Sequence, residues 1–564
     1  MGARRCATLY VGISSGRDAA VALFDGERLI AAVEEEKLSR TRTDTLFPAT
    51  ALRFCLQDAN VSLDDVSLVA LSNRPRRAWL REQQLRARWG MLPVRKGFGG
   101  AQYIRRELRR LGADGDPETL NRRFQCYEHH RCHAASAFYP SPFDRALVLS
   151  MDGAGDMLSG LAMLGEGSAL RQLASSSFPD SLGWLYSQIT ELLGFRPRHE
   201  EQKVQWLSSR GVPLFLPQFR KLIKGSLTPF PQFDRRYLTT RTGRWKLSSE
   251  FIELLGARPL LPVIDPALSP NIARSLQDFL EETVVGVAER LRLATGTDYL
   301  CLAGGLFLNT FLVRALEERT GYRRVFVQPA AGNAGAAVGA AYLAGYSQSA
   351  GLKRHTLPHV HLGPGFDSTQ IKAVLDNCKL IYRYYESEER LIGDAVALLL
   401  KGQSVAWFQD RLEFGFRALG NRSILGSPFS PYLAENLNHF VKHRDESHPF
   451  LLSVPAESAA DLFDCTDNCD AAASVGRLKE SIPHLERFIA GERRVRVHTV
   501  QREVNPRLWK LLRKFGEAAP GPLLVNTSFN LFGEPLVCDP RDAVRSFFCA
   551  GIDALVMGNF VVVK

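Results

Sequence analysis

Short apolar runs separated by polar turns dominate the N-terminal part of the chain. They are TLYVGIS at residues 8–14, AAVALF at 19–24 and RLIAAVEEE at 28–36, with the loop SSGRD and the turn DGE between them. Runs of this length bounded by glycine and aspartate predict β-strands. The theme repeats at 146–165, where ALVLSM ends in DGAGD before LSGLAML. We expect two strand–loop–strand units whose loops can hold phosphates on backbone amides.

A helical period appears farther along. Residues 270–297 repeat apolar positions at helical spacing and predict a long amphipathic helix that ends at Gly296. The run DYLCLAGGLFLN then predicts a strand ending at Gly304 and Gly305, and RVFVQPAAGNAGAAVGAA predicts a strand, a glycine-rich turn and a helix. Backbone approaches a ligand closely only where side chains are absent, so both glycine clusters are candidate nucleotide loops. Tight packing at a strand–helix turn is the alternative.

Proline, glycine and polar residues interrupt the periodicity at residues 351–367 and predict a linker. We expect one domain at 1–350 and a second at 368–564, since 564 residues exceed what one core holds. The second domain alternates helical patterns such as ERLIGDAVALLLKG with strand patterns such as SVAWFQ. The histidines of the linker, His361 among them, have no cysteine or acid placed to help and are interpreted as solvated.

Composition and charge narrow the class of protein. The apolar fraction of 45% and the charged fraction of 23% are ordinary for a soluble globular protein, and no apolar run approaches a membrane helix or a signal peptide. Ten cysteines without paired spacing indicate reduced thiols and a cytoplasmic location. The net charge of +11 comes from dispersed basic residues, so nucleic-acid binding is not expected, whereas single arginines in clefts suit phosphate-bearing substrates. The sequence is compatible with an oligomer and does not indicate the oligomeric state.

Two histidines stand out at helical spacing. His129 and His133 lie four residues apart and therefore project from one face of a helix, before a strand that ends at Asp152. Two imidazoles and a carboxylate suit divalent iron, manganese or zinc, with positions left for phosphate oxygen. A buried, hydrogen-bonded histidine pair is the alternative for the histidines alone. His130 points about 100° away on the helix wheel and is interpreted as structural.

Long motifs in a fixed order run through nearly the whole chain. They include VGISSGRDAAVALFDGERLIAAVEEEKLSR, HHRCHAASAFYPSPF, QPAAGNAGAAVGAA, DRLEFGFRALGNRSILGSP and LLVNTSFNLFGEPLVCDPRDAV. In these motifs the chain resembles the carbamoyltransferase family that includes the nodulation protein NodU and the tobramycin, novobiocin and cephalosporin O-carbamoyltransferases. The resemblance implies an α/β (α+β) fold. Its N-terminal domain would be actin-like ATPase in type, as in tRNA threonylcarbamoyltransferase, and its C-terminal domain YrdC-like.

The resemblance also implies a reaction. ATP and carbamoyl phosphate would form carbamoyl-adenylate in the C-terminal domain, and the N-terminal domain would pass the carbamoyl group to a hydroxyl of a small-molecule natural product. The implied cofactors are ATP and a divalent metal, typically Fe(II). Two alternatives stay open, namely the same chemistry on another nucleophile such as an amine, and a partner protein that only binds.

Family motifs imply a set of site residues. The implied metal ligands are His129, His133, Asp152 and, more weakly, Asn333. The implied N-terminal catalytic and nucleotide residues are Asp18, Lys203, Gly304, Gly305 and Asn309. The implied C-terminal residues bind carbamoyl phosphate and nucleotide. Those that carry or can carry a positive charge are Arg417, Lys442, His448 and Arg496, of which Arg417 and Lys442 are also catalytic. The polar ones are Asn526, Ser528 and Asn530.

Five positions depart from the family's motifs. Arg17 stands where relatives carry a histidine that is the candidate base, and a guanidinium that stays protonated is a poor base. Thr43 replaces another histidine, and Phe416 replaces a proline. Asn333 replaces an aspartate, so its neutral amide should weaken cation binding. His448 replaces an arginine, which removes a permanent cation from the expected phosphate pocket.

Overall fold

The computed structural model describes most of the chain, namely residues 8–42, 47–88, 99–110, 122–225, 229–241, 244–256, 264–348, 351–444 and 449–564. The chain divides into two compact units. The first comprises Met1–Ala31 with Asp44–Leu357, and the second comprises Ala32–Thr43 with Pro358–Lys564. A short N-terminal segment therefore folds with the C-terminal part of the sequence.

Two five-stranded sheets form the core of the first unit, in the orders β3-β2-β1-β4-β5 and β12-β11-β6-β7-β8. The strands are β1 Leu9–Ser14, β2 Ala20–Phe24, β3 Leu29–Glu34, β4 Val66–Leu71, β5 Phe124–Cys126, β6 Arg145–Gly155, β7 Leu158–Glu166, β8 Ala169–Ser177, β9 Leu238–Arg241, β10 Arg244–Leu247, β11 Tyr299–Ala303 and β12 Arg324–Val327. The division between the units falls within β3. A small hairpin is formed by β9 and β10.

The two large sheets repeat one topology. In the first, β1 is antiparallel to β2, and β4 and β5 join in parallel on its other side. In the second, β6 is antiparallel to β7, and β11 and β12 join in parallel on its other side. A duplicated sheet of this kind is the actin-like ATPase architecture, so the predicted α/β class and the predicted type of the N-terminal domain are confirmed. The predicted strands at the N-terminus and at 146–165 are also confirmed.

Helices of the first unit cover these sheets. They are α2 Ala49–Asp58, α3 Pro75–Arg88, α4 Gly99–Arg110, α5 His129–Phe138, α6 Leu182–Leu192, α7 Glu201–Leu207, α8 Leu216–Arg220, α9 Ser249–Leu254, α10 Ser269–Thr295, α11 Thr310–Arg319 and α12 Asn333–Gln348. The long helix α10 ends as predicted at Gly296, whose left-handed backbone (φ 61°) closes it.

Helix α12 owes its position to its small residues. A Cβ atom on Gly339 would lie 1.7 Å from the carbonyl oxygen of Cys132 in α5. A Cβ atom on Gly12 in β1 would lie 1.9 Å from the carbonyl oxygen of Ala337 in α12. The helix therefore packs with its backbone almost touching a strand on one side and a second helix on the other.

An eight-stranded mixed sheet, in the order β13-β24-β23-β14-β15-β22-β16-β21, forms the core of the second unit beside a four-stranded sheet in the order β17-β18-β20-β19. The strands are β13 Arg383–Tyr384, β14 Val405–Phe408, β15 Arg422–Gly426, β16 Leu451–Pro455, β17 Phe463–Asp464, β18 Gly476–Leu478, β19 Ile489–Ala490, β20 Arg494–Val495, β21 Val497–Val500, β22 Leu524–Ser528, β23 Ala554–Met557 and β24 Phe560–Val563.

Several helices of the second unit pack against the large sheet. The helices of this unit are α1 Glu35–Ser39, α13 Ser368–Asn377, α14 Glu388–Leu400, α15 Leu433–Asn436, α16 Ala456–Leu462, α17 Pro506–Gly516 and α18 Pro540–Phe548, with a π-helical turn at Leu437–Lys442. Along β22, Leu524 joins one apolar cluster and Val525 the other, because successive strand residues face opposite ways.

One interpretation from the sequence is changed by the structure. His361 is buried in the second unit and pairs through its backbone with Glu413, so the interpretation of a solvated histidine is wrong there. His439 and His443 are exposed, and the helical turn that carries His439 is a π-helix. Within the described ranges, no helix combines the length with the apolar character that crossing a lipid bilayer requires.

Candidate metal centre and candidate phosphate site

The first site of interest begins at the N-terminus of α5. The Glu128 side chain caps this helix by accepting hydrogen bonds from the backbone N–H groups of His130 and Arg131. His129 and His133 therefore lie one turn apart, with their Nε2 atoms separated by 3.1 Å. The spacing read from the sequence thus brings the two imidazoles together on one helix face.

A carboxylate completes the group. Asp152 lies near the end of β6, and its Oδ2 atom is 3.5 Å from Nε2 of His129 and 3.5 Å from Nε2 of His133. Gly155 of the DGAG motif makes room for the His129 ring, because a Cβ atom on this glycine would lie 1.9 Å from it. Gly305 approaches from β11, where a Cβ atom would lie 2.9 Å from Oδ1 of Asp152.

Burial and charge set the protonation of this group. Burial lowers the pKa of His133 below its ordinary value. Burial also opposes a charge on His129, but the neighbouring Asp152 outweighs it and raises the pKa of that imidazole. Burial alone would raise the pKa of Asp152, yet the contacts from both histidines hold it well below its usual range. The carboxylate is therefore ionised and faces two imidazoles.

These three side chains fit a divalent metal ion. Their ligand atoms all lie within 4.8 Å of one another. The side chain of His133 has no exposed surface, and those of His129 and Asp152 are 12% and 21% exposed. The Nδ1 atom of His133 is buried and has no hydrogen-bond partner among the described residues. Two nitrogen donors and one carboxylate with an open side match the preference of first-row divalent ions.

His130 faces away from this group. Its ring contacts the hydroxyl of Ser150 at 2.9 Å and the carbonyl oxygen of Leu158 at 3.2 Å. Burial, followed by the charges of His129 and His133, lowers its pKa to about 3. The imidazole is therefore neutral and joins α5 to β6 and β7, which agrees with the structural interpretation from the helix wheel.

Three other N-terminal candidates have contacts of their own. The amide of Asn333 donates a hydrogen bond of 3.3 Å to the carbonyl oxygen of Arg17. Asp18 is exposed at a left-handed position (φ 53°), with a carboxylate oxygen 3.7 Å from the point that a Cβ atom of Gly332 would occupy. Lys203 is partly exposed and pairs with Glu200 at 2.6 Å.

Asn309 and Gly304 have structural roles. Asn309 caps α11 through the N–H of Leu312 and exchanges hydrogen bonds with the amide of Gln277. Gly304 has a φ of +100°, and a Cβ atom there would lie 2.2 Å from the carbonyl oxygen of Met151. Only glycine tolerates both conditions, so the packing explanation of this glycine turn applies whether or not a nucleotide also binds there.

The second site is a group of cations in the second unit. Burial, and then the positive charge of Arg496, lowers the pKa of Arg417 well below its ordinary value. Burial and Arg496 also lower the pKa of Arg444 to about 9, and burial lowers that of Arg496 to about 10. For Lys442, burial acts with the charges of Arg444 and Arg42 to lower the pKa well below its ordinary value. Neighbouring members of the group formed by Arg417, Lys442, Arg444 and Arg496 thus disfavour one another's positive charge.

Lys442 is held by the turn after β22. Its ammonium donates hydrogen bonds to the backbone carbonyls of Ser528 and Asn530, and to the side-chain oxygen of Asn530 at 2.8 Å. The hydroxyl of Ser528 donates to the same oxygen of Asn530 at 2.9 Å. The NTSFN motif therefore positions the lysine as well as offering polar groups of its own.

A buried polar chain crosses the sheet beside these cations. Asn526 in β22 donates through Nδ2 to the hydroxyl of Ser453 in β16 at 3.0 Å, and that hydroxyl contacts Nδ1 of His498 in β21 at 3.0 Å. The Oδ1 atom of Asn526 is buried and without a hydrogen-bond partner in the described ranges. Burial lowers the pKa of His498 to about 3, so the chain is neutral.

Sequence reasoning missed part of this site. Arg444, Ser453 and His498 were not candidates, although Arg444 follows Lys442 in the stretch KHR and could have been suspected from it. Arg417, Lys442 and Arg496 are brought together as a group by the fold. His448 and Thr43, which were singled out from the sequence, lie outside the described residues.

Family models match both parts of the sequence. A model described as the carbamoyltransferase N-terminus matches residues 10–342, and a model described as the carbamoyltransferase C-terminus matches residues 396–564. The chain belongs to the carbamoyltransferase family. The predicted family is thus confirmed, and the protein is a carbamoyltransferase enzyme.

Similar proteins span the whole length of this carbamoyltransferase. An uncharacterized protein of Synechocystis is 33% identical over 99% of this chain and 97% of its own length. The 3'-hydroxymethylcephem-O-carbamoyltransferase of Streptomyces clavuligerus is 26% identical over 98% of both chains. Among solved structures, full-length HypF in a phosphate- and nucleotide-bound form has a TM-score of 0.35 and 14% identity over 60% of this chain and 47% of that one.

Proposed function

We propose that this carbamoyltransferase uses ATP and carbamoyl phosphate to carbamoylate a hydroxyl group of a small-molecule natural product such as an antibiotic. The observation that supports it most is the group of Arg417, Lys442, Arg444 and Arg496 in the second unit, whose charges burial and mutual repulsion disfavour. Such a group is stabilised by a bound polyanion, and carbamoyl phosphate and ATP are both polyanions. The cephem O-carbamoyltransferase among its relatives favours a hydroxyl acceptor.

The reaction in the second unit would form carbamoyl-adenylate. Water cleaves carbamoyl phosphate to carbamate and phosphate, and a carbamate oxygen then attacks the α-phosphorus of ATP with release of pyrophosphate. Each step places negative charge on phosphoryl oxygens in the transition state. Arg417 and Arg496 would bind those oxygens through paired N–H donors, while Lys442 would supply a point charge.

Neutral groups would bind the carbamoyl part. Asn526 has a buried Oδ1 atom that is free to accept a hydrogen bond, and the carbamoyl NH₂ group is a matching donor. Ser453 and His498 fix the other side of the same amide. Ser528 and Asn530 would complete the pocket through their contacts with Lys442.

Transfer to the acceptor is assigned to the first unit. His129, His133 and Asp152 would hold a divalent ion, Fe(II) in this proposal, with Asn333 as a weak additional ligand. When bound, such an ion supplies Lewis acidity toward phosphate oxygens. The acceptor hydroxyl attacks the carbamoyl carbon, AMP leaves, and the hydroxyl proton is taken up by a base. Asp18 is the proposed base, because Arg17 beside it stays protonated.

Other candidates would bind and orient the substrates of this step. Gly304 and Gly305 bring backbone close to Asp152, which suits a nucleotide loop. Asn309 would support that loop by capping α11, and Lys203 would face the acceptor. We assign transfer to the first unit and adenylate formation to the second unit, which comprises residues 32–43 as well as residues 358–564.

A mass-spectrometric assay tests the proposal. The purified protein is incubated with ATP, carbamoyl phosphate, Fe(II) and a panel of hydroxylated acceptors, and the expected product is an acceptor heavier by one carbamoyl group. A matched panel of amine acceptors serves as the comparison. Products on amines alone would overturn the hydroxyl assignment, and carbamoylation without ATP would overturn the adenylate route.

A further inference from the structure

A buried ion pair lies in the N-terminal segment that folds with the second unit. The ammonium of Lys37 is 2.8 Å from Oε2 of Glu34, and the two side chains are only 5% and 7% exposed. Removing two charges from water is unfavourable unless further hydrogen bonds satisfy them. The partners of these two side chains therefore indicate what the pair is for.

Both side chains bind the same glycine. Lys37 donates hydrogen bonds to the carbonyl oxygens of Glu413 at 2.8 Å and Gly415 at 2.9 Å. The backbone N–H of Gly415 donates to Oε1 of Glu34 at 2.7 Å. Gly415 has a φ of +112°, a conformation that only glycine adopts readily. One ion pair thus fixes both backbone polar groups of a residue that lies two positions before Arg417.

The other end of the same loop is fixed by Glu413. Its Oε1 atom accepts hydrogen bonds from three backbone N–H groups, those of Leu419 at 2.8 Å, Asn421 at 2.7 Å and Arg422 at 3.2 Å. Loop 415–421 is therefore anchored at its start and at its end, and Arg417 lies between the anchors. The backbone on either side of Arg417 is therefore fixed.

The same N-terminal segment binds a second loop. Arg40 donates hydrogen bonds to the carbonyl oxygens of Pro535, at 3.0 Å, and Leu536. It also forms ion pairs with Glu534 at 3.5 Å and Asp542 at 3.3 Å. Four contacts from one side chain hold the turn that follows the NTSFN motif.

That turn leads directly to the lysine of the phosphate site. Asn530 donates through Nδ2 to the carbonyl oxygen of Glu534 at 2.8 Å, and its Oδ1 atom accepts the hydrogen bond from Lys442. Arg40 therefore supports Lys442 through Glu534 and Asn530, as Glu34 and Lys37 support Arg417 through Gly415.

We propose that Glu34, Lys37 and Arg40 are positioning residues of the carbamoyl-phosphate and nucleotide site, which residues 358–564 do not build by themselves. The inference rests on the adenylate-forming role proposed above for the second unit. The short helix α1, with Glu34 and Arg40 at its two ends, contacts both the loop of Arg417 and the turn that holds Lys442. Through these contacts it fixes the distance between the two. Without it, the cations repel one another and the loops move apart.

The test uses the full-length chain and carbamoyl-phosphate-dependent exchange of pyrophosphate into ATP. In the double variant Glu34→Gln/Lys37→Met, no charge is left buried without a partner, so the fold is retained while the bonds from Lys37 to Glu413 and Gly415 are lost. We expect the KM for carbamoyl phosphate to rise at least about 10-fold, since a misplacement of about 1 Å can cost on the order of 100-fold in catalysis. Lys372→Met removes an exposed lysine that pairs with Asp376 in the same unit, and it should change nothing.

The same double substitution in an Arg417→Lys protein distinguishes a positioning role from a general loss of stability. Arg417→Lys already lacks the guanidinium that the loop presents, so adding Glu34→Gln/Lys37→Met to it should raise the KM less than about threefold, since coupled residues do not act additively. An equal rise in both backgrounds, or an unchanged KM in the double variant, overturns the positioning role. Wild-type protein without exchange would overturn the adenylate proposal itself, which is a different result from an unchanged variant.

Discussion

His133 illustrates how one residue decides the character of the first site. Its side chain has no exposed surface, its Nε2 atom lies 3.1 Å from that of His129 and 3.5 Å from a carboxylate oxygen of Asp152, and its Nδ1 atom is buried. A buried imidazole placed only for stability usually satisfies both nitrogens with protein groups, as His130 does with Ser150 and Leu158. The Nε2 atom of His133 instead faces a second imidazole nitrogen and a carboxylate oxygen, which is the arrangement of ligands around a shared cation.

Replacing His133 should remove the metal ion. His133→Ala takes away one of three ligands and leaves Asp152 with a single imidazole, so we expect the metal content of the purified protein to fall at least tenfold (about 1.4 kcal/mol or more). Metal analysis by mass spectrometry provides the measurement. The exposed His439→Ala is the matched control and should keep the wild-type content. A His133→Ala protein that retains all its metal contradicts the site.

Lys442 is the residue whose ionisation should report on anion binding. Its pKa in the folded protein lies below 10.5, the ordinary value that the unfolded chain retains. Between those two values the unfolded chain binds the proton more tightly, so the destabilising contribution of Lys442 is full below the folded pKa and shrinks as the pH rises through that window. A bound polyanion favours the charged ammonium and raises the pKa again.

Anion binding should therefore take up a proton in that window and weaken as the pH rises. Calorimetric titration of pyrophosphate at pH values from about 7 to about 10, in two buffers of different ionisation enthalpy, measures both effects. Lys442→Met should bind more weakly and lose the proton uptake that the wild-type protein shows. Identical proton uptake in the variant would assign the titration to another group.

At the scale of elements, the position of α5 depends on α12. The carbonyl oxygen of Cys132 occupies the space that a side chain on Gly339 would need, so the two helices approach more closely than any other residue there would allow. The glycine turn at residues 332–335 is the predicted nucleotide loop, whereas Gly339 lies farther along the helix, where the structure gives it a packing role. The histidines of α5 move if α12 moves.

Gly339→Ala should lower both stability and metal content. A Cβ atom 1.7 Å from a carbonyl oxygen forces the helices apart, and such overpacking typically costs about 1–3 kcal/mol. Gly393→Ala is the matched control, because Gly393 lies in the interior of α14 with no atom within 4 Å of its added Cβ. The control should be more stable than wild type by about 0.5–1 kcal/mol. Thermal unfolding midpoints compare the two, and a Gly339→Ala midpoint at or above that of the control would contradict the packing account.

At the scale of the whole molecule, local features were predictable and distant pairings were not. The strands β1 to β3, the end of α10 at Gly296 and the common face of His129 and His133 follow from periods and caps that span a few residues. The contact of Lys37 with Glu413 joins residues 376 positions apart, and no local pattern indicates it. The chain of Asn526, Ser453 and His498 crosses three strands whose register the sequence leaves open.

The same distinction explains the division of the chain. Composition and turn residues placed a boundary near residue 351, but they could not show that residues 32–43 fold with the C-terminal part. In the sequence this segment only continues the run RLIAAVEEE, which predicts a strand through residue 36. Glu34 and Lys37 are buried because the loop of Gly415, which is distant in sequence, packs against them.

Adenylate formation in the second unit is the central claim, and exchange of labelled pyrophosphate into ATP tests it most directly. We expect exchange that requires carbamoyl phosphate, that needs no acceptor, that falls at least about 100-fold in Arg417→Ala and that is unchanged in His133→Ala. Exchange that proceeds equally without carbamoyl phosphate, or equally in Arg417→Ala, would contradict the claim.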